Sequence, residues 1–361
     1  MIITAEMQRI LALARRAEAS DIHIVAGLPP LFRINGEIIL ADSSPLSRED
    51  TKRLSYSILN DEQIKVFERD WQLCCSVFDE KLGRFRVSIY NQAGNPEMSI
   101  RPVTHVIRSR KELRLPVQIE DLTRLSSGLV LVTGPTGSGK TTTMNYMVDL
   151  INSERRCKII TIEDPVEYVH TQKKAIIVQQ ELYTDVKSFN KALIHVLRQD
   201  PDVVCVGEMR DLDTTATALM AAETGHLVIA TCHTPNCFQT IERIVSIFPD
   251  NQQPQIIMQL SNCLKAVIAQ RLIQASNKKS RVLATEFLLV DAPTQRHIRE
   301  QEFHQIISVI QTGRKKGMHL MDDSLYDLYQ NGEITYEAAI NNSFNPRAMR
   351  ERLLDQRDAQ Q

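Results

Sequence analysis

The stretch "GLVLVTGPTGSGKTTT", residues 128–143, decides how the rest of the chain is read. Its first half is an unbroken apolar run with the length and the Val/Leu content of a strand buried on both faces. Its second half matches G-x-x-x-x-G-K-[ST], with Gly134, Gly139, Lys140 and Thr141 at the required places. Met144, Met147, Val148 and Ile151 then recur at helical spacing. Strand, glycine-rich loop and helix in this order form a phosphate cradle, in which backbone N–H groups and the positive end of the helix face the anion. The expected nucleotide contacts are Gly134, Pro135, Thr136, Gly137, Ser138, Gly139, Lys140, Thr141 and Thr142. Lys140 is expected to reach the β- and γ-phosphates of ATP, and the Thr141 hydroxyl to bind Mg²⁺. A chance Gly-rich turn would lack the strand before and the helix after.

Three further apolar runs follow: "CKIITIED", "DVVCVGEM" and "HLVIATCHT". Each is rich in Val and Ile and alternates with helical spacing, the pattern of an α/β domain with a parallel sheet. Each also ends in polar groups: Glu163 with Asp164, Glu208, and His233 with Thr234. In such sheets ligands bind beyond the carboxyl ends of the strands, so a single topological rule gathers these residues with the loop. Glu208 is expected on the Mg²⁺ side and Glu163 to orient the attacking water, with His233 sensing the γ-phosphate. The competing readings are a helix-capping or ion-paired carboxylate and a histidine hydrogen-bonded for structure alone.

The first hundred residues read as a small α+β unit. A helix runs up to Ala19, "SDIHIVAG" alternates like a strand, and "PPLFRINGEIIL" makes a hairpin turning at Asn35-Gly36. "SREDTKRLSYSIL" has helical spacing behind a Ser cap, and "GRFRVSIYNQ" and "PEMSIRPV" read as strands. "VIRSRKELRLPVQ", residues 106–118, is basic and irregular and reads as a linker. The expected division is therefore 1–105, a linker at 106–118, and 119–361, which turns mostly helical beyond about residue 290. In "GRFRVSIY" alternation places Arg84 and Arg86 on one strand face, opposite Phe85, Val87 and Ile89, and Arg101 is a further cation in strand context. Facing a neighbour's nucleotide, these arginines would act as cationic fingers in trans; the competing reading is a solvated basic face.

Composition narrows the class. Forty-three basic residues against 44 acidic ones leave a formal charge of −1, so no global pull toward nucleic acid or anionic membrane is expected. The apolar runs are strand-sized, short of the ~20 residues of a membrane span, and the N-terminal stretch has no continuous apolar core of a signal peptide. Seven cysteines without a C-x-x-C pair point to reduced thiols in a cytoplasmic protein rather than to disulfides or zinc.

Taken together, these residues resemble the secretion superfamily of hexameric ATPases, and most closely the type IV pilus retraction ATPases (PilT family). The motifs that carry the resemblance are "ASDIHIVAGLPPLFRING", "GLVLVTGPTGSGKTTT", "TIEDPVEYVH", "VLRQDPDVVCVGEMRD", "AAETGHLVIATCHT" and "IREQEFHQIISVIQTG". The resemblance implies a PAS-like N-terminal domain joined to a RecA-like P-loop ATPase domain, with six copies in a ring. It implies ATP sites where one copy's N-terminal domain meets the neighbour's ATPase domain. In family terms Glu163 is the general base in the Asp box, Glu208 the Walker B carboxylate, and His226 and His233 the His-box histidines. It further implies cytoplasmic motors at the inner face of the membrane, acting on a platform protein, sometimes beside a paralogous pilus ATPase.

Two stretches depart from the family pattern: "PTQRHIRE" at 293–300 stands for "AIRNLIRE", and "QQEL" at 179–182 for "QREV". No additional N-terminal domain or four-cysteine module of the pilus-assembly relatives is read here, which favours retraction. The alternatives are an accessory or a conjugative or secretion-system ATPase and, in another class, a RecA-like nucleic-acid translocase. A lack of aromatic-basic tracts speaks against the last.

Overall fold

The computed structural model describes residues 4–34, 36–103, 106–278 and 280–359. Asn35, half of the expected hairpin turn, lies outside the described residues. The chain divides into two compact units. The first comprises 1–106, 162–171 and 179–192; the second comprises 107–161, 172–178 and 193–361.

In the first unit, helix α1 (Ala5–Arg16) precedes strands β1 (Asp21–Ile24), β2 (Leu31–Ile34) and β3 (Glu37–Leu40). Helices α2 (Arg48–Tyr56) and α3 (Asp61–Asp70) lead to β4 (Gln72–Asp79), β5 (Gly83–Gln92) and β6 (Asn95–Pro102). The six strands form one antiparallel sheet in the order β3-β2-β1-β6-β5-β4. Helix α2 starts where the sequence places it, because Ser47 and Asp50 close a reciprocal capping box. Apolar positions at helical spacing, Met7, Ile10, Leu11 and Ala14 of α1, share a core with Phe85, Val87 and Ile89 of β5. Alternation thus sets Arg84 and Arg86 on the other face of β5.

The second unit opens with α4 (Arg110–Leu113) and α5 (Gln118–Thr123). Residues 106–118 are therefore not irregular throughout: a Ser109–Glu112 capping box, legible as S-x-x-E, starts a helical turn at Arg110. Next come β7 (Gly128–Thr133), α6 (Lys140–Glu154), β8 (Lys158–Glu163), β9 (Ile176–Glu181) and α7 (Phe189–Val196). They are followed by β10 (Val203–Val206), α8 (Leu212–Glu223), β11 (Leu227–Cys232), α9 (Cys237–Ser246), α10 (Gln253–Cys263), β12 (Leu264–Gln274) and β13 (Arg281–Leu289). The end is helical: α11 (Ala292–Arg299), α12 (Ile306–Thr312), α13 (Met321–Gln330), α14 (Tyr336–Asn342) and α15 (Pro346–Ala359), with two short 3₁₀ turns.

The sheet order is β13-β12-β7-β11-β10-β8-β9, with β12, β7, β11 and β10 parallel and β13 antiparallel on one edge. Every residue of β7, β10 and β11 is buried, which is why these strands read as unbroken apolar runs. In the register, Gly128 of β7 stands beside Leu227 of β11 and Thr133 beside Cys232, so the strands finish level and deliver their following loops to one edge. Among the described residues, no helix is long and apolar enough to cross a membrane.

Candidate functional site: a phosphate-binding loop with a Lys–His–Glu chain

The loop from Gly134 to Gly139 joins β7 to α6. Its glycines have φ of 138° (Gly134), 78° (Gly137) and 92° (Gly139), a region that side chains disfavour. At Gly134 space forbids a side chain as well. A Cβ there would lie 2.3 Å from the carbonyl oxygen of Gln270 on β12 and 2.7 Å from Ser138 Oγ. Helix α6 begins at Lys140 with Gly139 as its cap and no side-chain cap, so its first turn keeps backbone N–H groups for a ligand. The buried Ser138 Oγ has no hydrogen-bond partner among the described residues. Open N–H groups, an unpartnered buried hydroxyl and a buried ammonium form the donor set that a nucleotide's phosphates require.

That ammonium belongs to Lys140, which is 8% exposed. Its Nζ donates to the carbonyls of Gly134 at 2.8 Å and Pro135 at 3.1 Å, folding back over its own loop. Burial lowers its pKa, and the charge of Glu208 pushes it back up. Nζ also lies 3.4 Å from His233 Nδ1. An ammonium can only donate, so Nδ1 is the acceptor and Nε2–H is left to donate to Glu208 Oε1, 3.0 Å away. The other oxygen of Glu208 receives Arg210 at 2.8 Å. The structure therefore joins Lys140, His233, Glu208 and Arg210 in one chain of hydrogen bonds along the carboxyl edge of β7, β10 and β11. Thr231 reinforces the junction, its hydroxyl donating to the Gly207 carbonyl between β10 and Glu208. Thr141 is half-buried and Thr142 exposed at the start of α6. Below His233 the buried Cys232 thiol is pushed up to about 12 by burial, so it packs as a small apolar group.

Cavities open on both sides of His233. One, of about 350 Å³, is lined by Glu208, Arg210, Thr215 and Arg243. The other, of about 420 Å³, is lined by Pro135, Thr136, Gly137, Ser138, Arg271, Arg281 and Asn342. Arg210, Arg271 and Arg281 are cations beyond those expected from sequence. Arg210 stood within a quoted motif, whereas Arg271 and Arg281 are brought to the loop by the order of the strands.

His226 is not brought to the loop. It precedes β11, hydrogen-bonded through Nδ1 to the Ala221 carbonyl at 3.0 Å, and its own carbonyl receives Gly128 N–H at the start of β7. A six-residue strand, about 20 Å, separates it from His233. Glu163 is the last residue of β8, within the part of the chain that packs in the first unit, where its Oε1 accepts from Gln179 Nε2 at 3.2 Å.

The three arginines are all ion-paired within the first unit. Arg84 donates to Glu181 at 2.5 Å, with side chains 16% and 2% exposed. Glu181 also receives Ser76 N at 3.1 Å, Val166 N at 3.0 Å, Thr184 Oγ1 at 3.2 Å and the Ser76 hydroxyl. Arg86 pairs with Glu167 at 2.6 Å and Arg101 with Asp21 at 2.7 Å, both with the guanidinium accessible.

Known proteins resemble this chain over nearly its whole length. The family model described as type II/IV secretion system protein matches residues 2–354. The type IV pilus retraction ATPase PilT of Pseudomonas aeruginosa is 39% identical over 334 residues, covering 92% of this chain and 97% of its own. The twitching motility protein of Neisseria gonorrhoeae is 39% identical over 325 residues, 90% of this chain and 87% of its own. Among solved structures, the pilus retraction motor PilT with bound ADP superposes with a TM-score of 0.87 at 44% identity, covering 94% of this chain and 97% of that one. The chain belongs to the type II/IV secretion system protein family, and within it to the type IV pilus retraction ATPases.

Proposed function

We propose that this protein hydrolyses ATP to drive type IV pilus retraction, working as a cytoplasmic ring of six copies against a platform protein at the inner face of the membrane. The observation that carries the reading is the hydrogen-bonded chain from Lys140 through His233 to Glu208 at the mouth of the phosphate loop. On nucleotide binding the Lys140 ammonium exchanges its own loop carbonyls for β- and γ-phosphate oxygens, and the open N–H groups between Thr136 and Lys140 take the remainder. His233, already hydrogen-bonded to Lys140 and Glu208, changes partners when the γ-phosphate arrives or leaves. Thr141 and Glu208 would hold Mg²⁺, which neutralises charge on the transferring phosphoryl group. Glu163 takes the proton of the attacking water.

Of the arginines, Arg86 and Arg101 suit a finger role toward a neighbouring copy, because their pairs are accessible and exchangeable. The buried pair of Arg84 with Glu181 suits a strut. The PAS-like domain is taken as 1–105, joined by 106–118 to the RecA-like ATPase domain at 119–361. The near-zero net charge and the names of the relatives favour retraction over translocation of nucleic acid.

Deleting the gene in its host and counting surface pili and twitching tests this. Excess static pili and lost twitching, restored by the wild-type gene and not by Lys140→Ala, are expected. Bald cells, or intact twitching with a lost export function, would overturn the retraction role.

A further inference from the structure

Arg271 sits on β12, next to β7 on the side away from β11. It follows Gln270, whose carbonyl closes over Gly134. Arg271 lines the 420 Å³ cavity that residues 135–138 also border. Two partners hold it there. Its Nη1 donates at 2.8 Å to the carbonyl of Asn342, the last residue of α14, where a helix leaves carbonyls unsatisfied and its dipole is negative. Its Cζ also lies over the Phe344 ring, 4.6 Å from the ring centre.

The turn carrying both partners is fixed from behind by Asp322 on α13. Asp322 Oδ1 accepts from Phe344 N at 2.9 Å, and Oδ2 accepts from Asn345 N at 3.1 Å and Ser343 Oγ at 2.8 Å. A single carboxylate thus pins three consecutive residues. Asp322 does not line the cavity itself. One of the five guanidinium N–H donors is committed to Asn342, which leaves the planar fork able to take phosphate or ribose oxygens while the ring and the helix end hold its orientation.

We infer that Arg271 is a positioning residue for the bound nucleotide and couples its presence to the C-terminal helices through the Asp322-anchored turn at 342–345. The inference rests on the nucleotide reading of the loop. Neither the P-loop nor the strand-end acids require this link, which joins the cavity to a helical segment distant in sequence.

The test is binding of a fluorescent ADP analogue and steady-state ATP turnover with the full-length protein. Arg271→Gln is expected to weaken binding about tenfold, the usual size for a lost charge-assisted hydrogen bond, and to raise KM more than it lowers kcat. Arg271→Lys fails to rescue, because a single ammonium cannot lie over Phe344, donate to Asn342 and still offer a planar fork to the nucleotide. Asp322→Asn weakens nucleotide binding in the same direction, and combined with Arg271→Gln it adds nothing further. Nucleotide slows amide exchange at Phe344 and Asn345 in the wild type and not in Arg271→Gln.

A lowered melting temperature in Asp322→Asn with affinity unchanged within about twofold, or additive effects in the double variant, would overturn the coupling. Lys140→Ala separates the two readings. Retained binding there sinks the loop assignment, whereas lost binding there with unchanged affinity in Arg271→Gln sinks only this inference.

Discussion

Lys140 Nζ stands 3.4 Å from His233 Nδ1, which commits that imidazole to the tautomer whose other nitrogen donates to Glu208. One cation thereby sets the proton position of a residue 93 places further along the chain. Under the proposed function, drawing Lys140 toward a phosphate releases Nδ1, and the ring then registers the arrival of nucleotide.

Lys140→Ala removes the buried ammonium that two loop carbonyls and His233 share. Turnover is expected to fall at least about a hundredfold, since charge-assisted contacts to the transferring phosphates are the main catalytic resource here. Folding should survive, because alanine leaves no charge buried. Phosphate release and a thermal melt on the same sample check both statements.

His233→Ala breaks the link between Lys140 and Glu208 without removing either charge. Expected is a fall in kcat of about tenfold or more with nucleotide affinity nearly kept, the signature of an interaction that matters after binding. An equal loss in affinity would place the ring in ground-state binding instead.

The arginines are expected to separate into two kinds. Arg84→Ala strands a carboxylate whose side chain is 2% exposed, at a cost of about 3 kcal/mol or more in stability, visible in denaturant unfolding. Arg86→Ala and Arg101→Ala break accessible pairs worth less than about 1 kcal/mol, so their melts stay near wild type. Their turnover in assembled rings is expected to drop while nucleotide binding persists; unchanged turnover in both would remove the finger role.

Acid sensitivity has an identifiable contributor. His319 is held below its usual pKa by burial, with its ring nitrogens bonded to Thr285 Oγ1 at 2.8 Å and the Gly317 carbonyl at 3.1 Å. The unfolded chain therefore takes up this proton before the folded one does. Stability rises with pH in that window, is complete above the ordinary histidine value of about 6.5, and is lost as pH falls below it. Melting temperatures of wild type and His319→Gln, measured from pH 8 down to about 5, should show a shallower acid-side slope in the variant.

Much of this was legible because local patterns carried it. The run 128–133 announced a doubly buried strand, the glycines a loop of left-handed backbone, and Ser47 a helix start. Alternation in 84–89 correctly set Arg84 and Arg86 opposite the apolar residues. What could not be read was long-range pairing. Glu181 lies 97 positions from Arg84, and nothing in "QQEL" signals that its acid is buried against β5. Arg271 reaches the loop only because β12 lies beside β7, a fact of strand order rather than of motif. His226 shows the converse: it shares a motif with His233, yet the intervening strand carries the two to opposite ends of the sheet.

In the proposed ring, adjacent copies complete each nucleotide site. ATP turnover per subunit across a dilution series, with particle mass measured on the same samples, tests this. Turnover is expected to collapse as the assembly dissociates, and to recover when it is concentrated again. A single copy that keeps full turnover at every dilution would rule out shared sites.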